Sequence, residues 1–302
     1  MQRRLSSIAP LVMVMVGLAI LLYPTISNFL IEQNASRMIE SYDDAVDALS
    51  EEERLAILDE AHAYNAALAA RAGAGSAGEA DSASSAESAA LLERYNEVLD
   101  LNGNGMMGYI SIPSIEVTLP IYHGVEEQVL QEAVGHIEDT SLPVGGMATH
   151  AVLSGHRGLP SAKLFTDLDQ MQEGELFFIS VLDETFAYQV DGIETVLPSE
   201  TSSLAVRAGE DRVTLVTCTP YGINSHRLLV HAHAVPYVPE MDELVGKPGS
   251  FINIPLPYLL LIIALAVLAV VFAVLHHRQR RDARDSRRSD GHASGRGGSH
   301  FA

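Results

Sequence analysis

The only cysteine in the 302 residues, Cys218, lies in the stretch TLVTCTPYGINSHRLLV, nine positions before Arg227. A thiolate is a nucleophile, and a guanidinium beside it favours the ionised sulfur and can stabilise an oxyanion. Such a nucleophile needs a base, or a proton donor for its leaving group. Twelve histidines are present. His276, His277, His292 and His300 fall in a basic tail, and His62 falls in a helical stretch. His226, His231 and His233 share a segment with Arg227. His231 and His233 alternate with apolar residues and face one way, but no third ligand is spaced nearby for zinc. His123, His136, His150 and His156 remain. His156 is preferred, because HAVLSGHRGLP runs off an apolar strand into Ser-Gly-His-Arg-Gly. Flanking glycines there let the backbone turn and a substrate approach. This chemistry requires neither metal nor organic cofactor.

The compartment decides how a lone thiol is read. Two apolar runs mark the chain: Ile8–Tyr23, preceded by Arg3 and Arg4, and the uncharged Tyr258–Leu275, followed by seven arginines. The second is long enough to cross the hydrocarbon layer of a bilayer, ~30 Å thick at ~1.5 Å per helical residue. The first fits a secretory signal peptide or an uncleaved signal-anchor; the absence of a clear small-x-small site after Tyr23 favours the anchor. Flanking arginines place both termini in the cytoplasm and the intervening chain outside. Residues 24–250 carry 10 Lys and Arg against 36 Asp and Glu. So acidic a domain repels the phosphates of nucleic acid. A single cysteine forms no internal disulfide, and a thiol kept in an oxidising exterior points to chemistry.

The elements that must position these residues change character along the chain. Residues 27–70 recur apolar at three and four, as in a helix, with Ser50 and Glu53 forming a capping box. An Ala/Ser/Gly-rich insert at 72–90 has no large apolar residue. From Met106 come roughly six to eight short strands rich in Val, Ile, Thr and Tyr, separated by Gly, Pro, Asn and Asp. Only EEQVLQEAVGHIE and AKLFTDLDQM read as short helices within them. An all-β domain closed as a barrel is the expected architecture. The organisation is then 1–26, cytoplasmic start and signal-anchor; 27–103, exterior helical region containing the insert; 104–240, β-domain; 241–257, linker; 258–275, transmembrane helix; and 276–302, basic cytoplasmic tail. Cys218 ends one strand and Arg227 starts the next, an expected separation of ~5–8 Å given ~4.8 Å between strands.

Four blocks in order, MGYISIPSIEVTLPIYHG, GHIEDTSLPVGG, SGHRGLPSAKLFTDLD and TLVTCTPYGINSHRLLV, resemble the class C sortases, the pilin-polymerising branch of Gram-positive bacteria. The resemblance covers roughly Gly108 to Ala234. It implies an eight-stranded sortase β-barrel and cysteine transpeptidation, with Cys218 as nucleophile, His156 as the histidine and Arg227 as the arginine. It also implies an LPXTG-like sorting signal cleaved between Thr and Gly, and pilin partners joined through an acceptor lysine. The two-span layout fits this branch, a cell-membrane protein with its catalytic domain outside. Ser154, Gly155, Thr217 and Thr219 flank these side chains and would shape the groove, and Leu142 and Pro143 would line a pocket for the signal's Leu-Pro. One departure stands out. YNEVLDLNGNGMMGY, just before the barrel, lacks the Asp-Pro-aromatic lid of many class C members, so a lid of that kind is not expected. The alternatives are a housekeeping sortase that anchors proteins to peptidoglycan and, more distantly, a non-enzymatic membrane-tethered binding module.

Overall fold

The computed structural model describes residues 2–74 and 89–245, with five isolated positions between 259 and 277. Most of the insert at 72–90, the run 258–275 apart from those positions, and the tail 276–302 lie outside the described residues. The chain divides into two compact units, Met1–Gly249 and Ser250–Ala302, and the first carries everything that follows.

Eight strands close into a barrel: β1 (Met106–Ile112), β2 (Val117–His123), β3 (Val134–His136), β4 (Thr149–Ser154), β5 (Leu176–Val181), β6 (Glu184–Val196), β7 (Asp211–Thr219) and β8 (His226–Val235). Their order around the barrel is β1-β2-β3-β4-β7-β8-β6-β5. The β2–β3 and β4–β7 pairs are parallel and the other pairs antiparallel. Alternation along each strand sends one set of side chains inward. Ala151 and Leu153, Val213 and Leu215, and Leu228, Val230 and Ala232 fill the barrel core. The intervening residues of β4, β7 and β8 face outward.

One strand differs from expectation. Val134–His136 is β3, whereas the sequence reads as helix through Glu138. The helix here, α3, is only Glu127–Leu130. A three-residue strand is too short to show a period of two, and its partners lie on two other strands, so tertiary pairing overrides local pattern. Likewise AKLFTDLDQM yields only a 3-10 turn, Leu168–Gln170.

Two long helices precede the barrel, α1 (Gln2–Asp47) and α2 (Glu51–Ala74). Between them Ser50 and Glu53 form the expected capping box: Ser50 N–H donates to Glu53 Oε2 at 2.8 Å and Glu53 N–H to Ser50 Oγ at 3.3 Å. The helices are not a separate layer. Ile39, Tyr42, Val46, Ala61, Tyr64 and Leu68 are buried in the same apolar cluster as the barrel strands. Tyr42 makes the seam specific. Its hydroxyl donates to Met107 O at 3.0 Å and accepts from Leu182 N–H at 2.9 Å. The first part of α1 is different. Ile20, Leu21 and Ile26 are more than half exposed, and α1 is the one helix among the described residues long and apolar enough to cross a membrane.

Candidate active site

Strand β7 ends at Thr219 and β8 begins at His226, leaving residues 220–225 as the turn. The register sets Cys218 opposite Arg227, with Thr217 opposite Leu228 and Thr219 opposite His226. Directly opposed residues of an antiparallel ladder hold their Cβ atoms about 4.5–5.5 Å apart on one face. The Arg227 guanidinium is anchored at the turn: Nη1 donates to His226 O at 3.1 Å and to Asn224 O at 3.4 Å. Cys218 and Arg227 are both half-buried.

His156 arrives from the other side of β7. In the parallel β4–β7 pair, Ser154 is level with Val216, and Gly155 N–H donates to Val216 O at 3.0 Å. Two residues further along each strand direction stand His156 and Cys218. The structure therefore brings the three predicted side chains to one end of three adjacent strands, β4, β7 and β8.

The supporting residues hold this end in shape. Thr217 is buried, and its hydroxyl donates to Gly155 O at 2.7 Å. Gly155 has no room for a side chain, because a Cβ there would lie 2.7 Å from the Phe165 ring. Phe165 N–H in turn donates to His156 O at 3.1 Å. Ser154 ends β4, half-buried, opposite Gly135 of β3. Thr219 Oγ1 accepts from Arg157 Nη1 at 3.1 Å, and Arg157 also pairs with Asp169. Gly158 takes the left-handed conformation (φ +79°), with the Tyr221 ring 3.0 Å from where a Cβ would stand.

Leu142 and Pro143, expected to line a pocket for the signal's Leu-Pro, are not among the residues at this end of the strands. Ser141 N–H donates to His150 O near the start of β4, and His150 is level with Arg212. Arg212 is six residues before Cys218 along β7, about 20 Å at ~3.3 Å per residue. Leu142 and Pro143 are both buried. Asn65 of α2 holds the Leu142 backbone from both sides, accepting from its N–H at 2.7 Å and donating to its carbonyl at 3.0 Å. This dipeptide is part of the helix–barrel seam.

Two residues of the site escape sequence reasoning. Arg157, next to His156 in Ser-Gly-His-Arg-Gly, ties the His156 loop to the residue after Cys218. Glu127 of α3 places Oε2 3.5 Å from His156 Nε2. That contact lacks hydrogen-bond alignment, so the buried nitrogen has no hydrogen-bond partner among the described residues. Gln131 and then His156 hold the Glu127 carboxyl below its ordinary range. Glu127 is mostly exposed, so its pull on His156 is screened and modest. No local signal links positions so far apart in the chain.

The other candidate histidines are engaged. His123 hydrogen-bonds the Gly105 and Val98 carbonyls, both at 2.9 Å. His136 Nε2 donates to Ser141 O at 2.8 Å, and its Nδ1 accepts from Tyr95 Oη at 2.9 Å. His150 reaches Thr214 and Ala205. Tyr95 and Val98 lie in the segment where the usual lid motif is missing, and these bonds fasten that segment at β2 and β3. On β8, His231 meets Glu194 and His233 meets Asp191, so each imidazole has its own carboxylate.

Beyond the three site residues, the same outer face carries a small apolar tier. Val152, Val216 and Leu229 are buried there, with Ile137, Val196 and Leu204 packed against them.

Residues 110–235 match the sortase domain family. The crystal structure of sortase C1 from Streptococcus agalactiae is 44% identical, with TM-score 0.58, covering 67% of this chain and 100% of that one. The chain belongs to the sortase family. Sortase C of Streptococcus pneumoniae, solved with reference to catalysis and pilin substrate specificity, is 40% identical, with TM-score 0.55, covering 67% of this chain and 97% of that one. Among curated sortases, Sortase A of Streptococcus agalactiae serotype III is 29% identical over 130 residues, 42% of this chain and 52% of that protein. The chain thus spans about half the length of that curated relative. The eight-stranded sortase barrel is the fold expected from the sequence, and its structural neighbours are class C members.

Proposed function

We propose that this sortase is a membrane-anchored cysteine transpeptidase that joins pilin subunits through isopeptide bonds. The observation that carries the proposal is the convergence of Cys218, Arg227 and His156 on one end of β4, β7 and β8. The Cys218 thiolate attacks the Thr carbonyl carbon of an LPXTG-like signal. Arg227, paired across the ladder, orients the substrate and stabilises the oxyanion. The tetrahedral species collapses, the Thr–Gly C–N bond breaks, and His156 protonates the departing glycine amine. The acyl-thioester is then attacked by a lysine ε-amine of another pilin. His156 takes the proton lost by that amine, and the thiolate leaves as the amide forms. The apolar tier beside Cys218, with Val216, Leu229 and Val196, replaces Leu142 and Pro143 as the surface for the signal's apolar residues. Ser154, Gly155, Thr217 and Thr219 act by holding the strand ends in place. The likeness to class C structures, one of them solved with reference to pilin specificity, supports pilins as substrate and acceptor. The exposed apolar helix with Arg3 and Arg4 before it supports a cell-membrane anchor with the N-terminus cytoplasmic and the barrel outside, and the apolar run 258–275 with the seven arginines after it supports a cytoplasmic C-terminus.

The test is mass spectrometry of the full chain in detergent, incubated with an LPXTG peptide and a pilin. A thioester on the Cys218 peptide that resolves into a pilin–pilin isopeptide is the expected result. A thioester passing only to oligoglycine or a wall-peptide amine would make the protein an anchoring sortase. No adduct on the folded chain would overturn the catalytic assignment.

A further inference from the structure

Past the apolar tier, the outer face of the barrel carries a hydrogen-bonded chain that acyl transfer does not use. His150 Nδ1 meets Ala205 O at 3.2 Å, and His150 Nε2 meets Thr214 Oγ1 at 2.7 Å. Thr214 Oγ1 meets His231 Nδ1 at 2.8 Å, and His231 Nε2 meets Glu194 Oε1 at 3.0 Å. The chain crosses β4, β7, β8 and β6. Both of its ends hold the β6–β7 connection: Ala205 directly, and Ser203 through a hydrogen bond with Glu194. Leu204, between those two residues, packs on the apolar tier beside the site.

A carbonyl and a carboxylate only accept, so His150 Nδ1–H donates to Ala205 O and His231 Nε2–H donates to Glu194. The Thr214 hydroxyl lies between the two remaining ring nitrogens and links the imidazoles. Thr214 is fully buried and His150 nearly so, so water cannot readily replace these links. Burial, with Arg212, His231 and Arg207 nearby, holds the His150 pKa below its ordinary value. Ser203 and then His231 hold Glu194 low, so it is the ionised acceptor. The charged groups around the chain are Arg207 of the connection, Arg212 of β7 and Glu194 of β6. Arg212 is itself paired with Asp191 and Glu210, and Asp191 with His233 of β8.

We propose that His150, Thr214 and His231 are positioning residues that clamp residues 203–205, and with them Leu204, onto the apolar tier beside Cys218, through a hydrogen-bonded chain centred on the buried Thr214 hydroxyl. Its catalytic consequence rests on the acyl-transfer proposal above; the clamp itself does not.

The experiment is hydrogen exchange, read by mass spectrometry on the full chain in detergent at pH 7 and corrected for intrinsic rates. The reporters are the amides of Leu204 and Ala205, which bond to Thr201 O and Ser202 O. Thr214→Val should lower their protection about tenfold, and Thr214→Ser should restore it. With an LPXTG peptide, KM should rise as protection falls while kcat changes little. Wild-type protection in Thr214→Val would overturn the clamp. If Thr214→Val fails to fold, Glu194→Gln decides: protection should fall, and an unchanged value counts against the proposal. Loss of all peptide cleavage with the exchange pattern intact would refute the acyl-transfer assignment and leave the clamp standing.

Discussion

Cys218 and Arg227 are direct partners in the antiparallel β7–β8 ladder, nine residues apart in sequence and opposite each other in space. The turn 220–225 makes this pairing local, while His156 reaches the same end only because β4 runs parallel to β7. The site thus combines one contact set by a hairpin with one set by barrel closure.

Cys218→Ala should leave the barrel folded and remove thioester formation, with turnover falling by about four orders of magnitude or more, as for other nucleophile deletions. Intact-mass measurement after incubation with an LPXTG peptide checks this. Retained turnover would remove Cys218 from the mechanism.

Arg227→Lys should cost about 100-fold in kcat, the scale of one lost oxyanion donor. A lysine keeps the charge but not the planar fork that reaches across the ladder. Steady-state kinetics on a quenched peptide is the check, and a near-normal rate would mean Arg227 only packs.

Gly155→Ala should destabilise by about 1–3 kcal/mol, because the new Cβ meets the Phe165 ring at 2.7 Å and the core resists overpacking. The displaced loop carries His156, so kcat should fall with Tm. Phe165→Leu in the same chain should recover part of both losses. Failure of that rescue would place the defect elsewhere.

His136 gives the protein a defined acid sensitivity. Full burial pulls its pKa from 6.5 down to about 4, so the folded state holds it neutral. Between those values the unfolded chain binds the extra proton and the folded chain does not. Stability is therefore intact above about pH 6.5 and is lost as pH falls towards 4, by up to roughly 3 kcal/mol. Urea unfolding of the full chain in detergent at pH 7 and pH 4.5 should show the loss. His136→Gln should be less stable at pH 7 and less dependent on pH. An equally steep dependence in that variant would assign the effect to other groups.

Seven of the eight strands were legible as short segments rich in Val, Ile, Thr and Tyr bounded by turn residues, and the Ser50–Glu53 capping box was legible from four residues. Those signals are local and need no partner. β3 was not legible, because three residues carry no period and its pairing with β2 and β4 comes from distant chain. Leu142 looks like a pocket residue by type, but Asn65 of α2 holds its backbone in the helix–barrel seam, and nothing near position 142 announces residue 65.

By itself, the sequence determined the chemistry available: one thiol, an arginine nine residues on, a glycine-flanked histidine and a barrel's worth of strands. These follow from residue type and short-range spacing. The tertiary structure alone decided which groups meet. Parallel pairing of β4 with β7 brought His156 level with Cys218, closure of the barrel brought β3 and Glu127 beside it, and outward alternation on four strands lined up Glu194, His231, Thr214 and His150. The physical reason is that hydrogen-bonded register between distant segments fixes side-chain neighbours, and register is a property of the closed sheet rather than of any one strand.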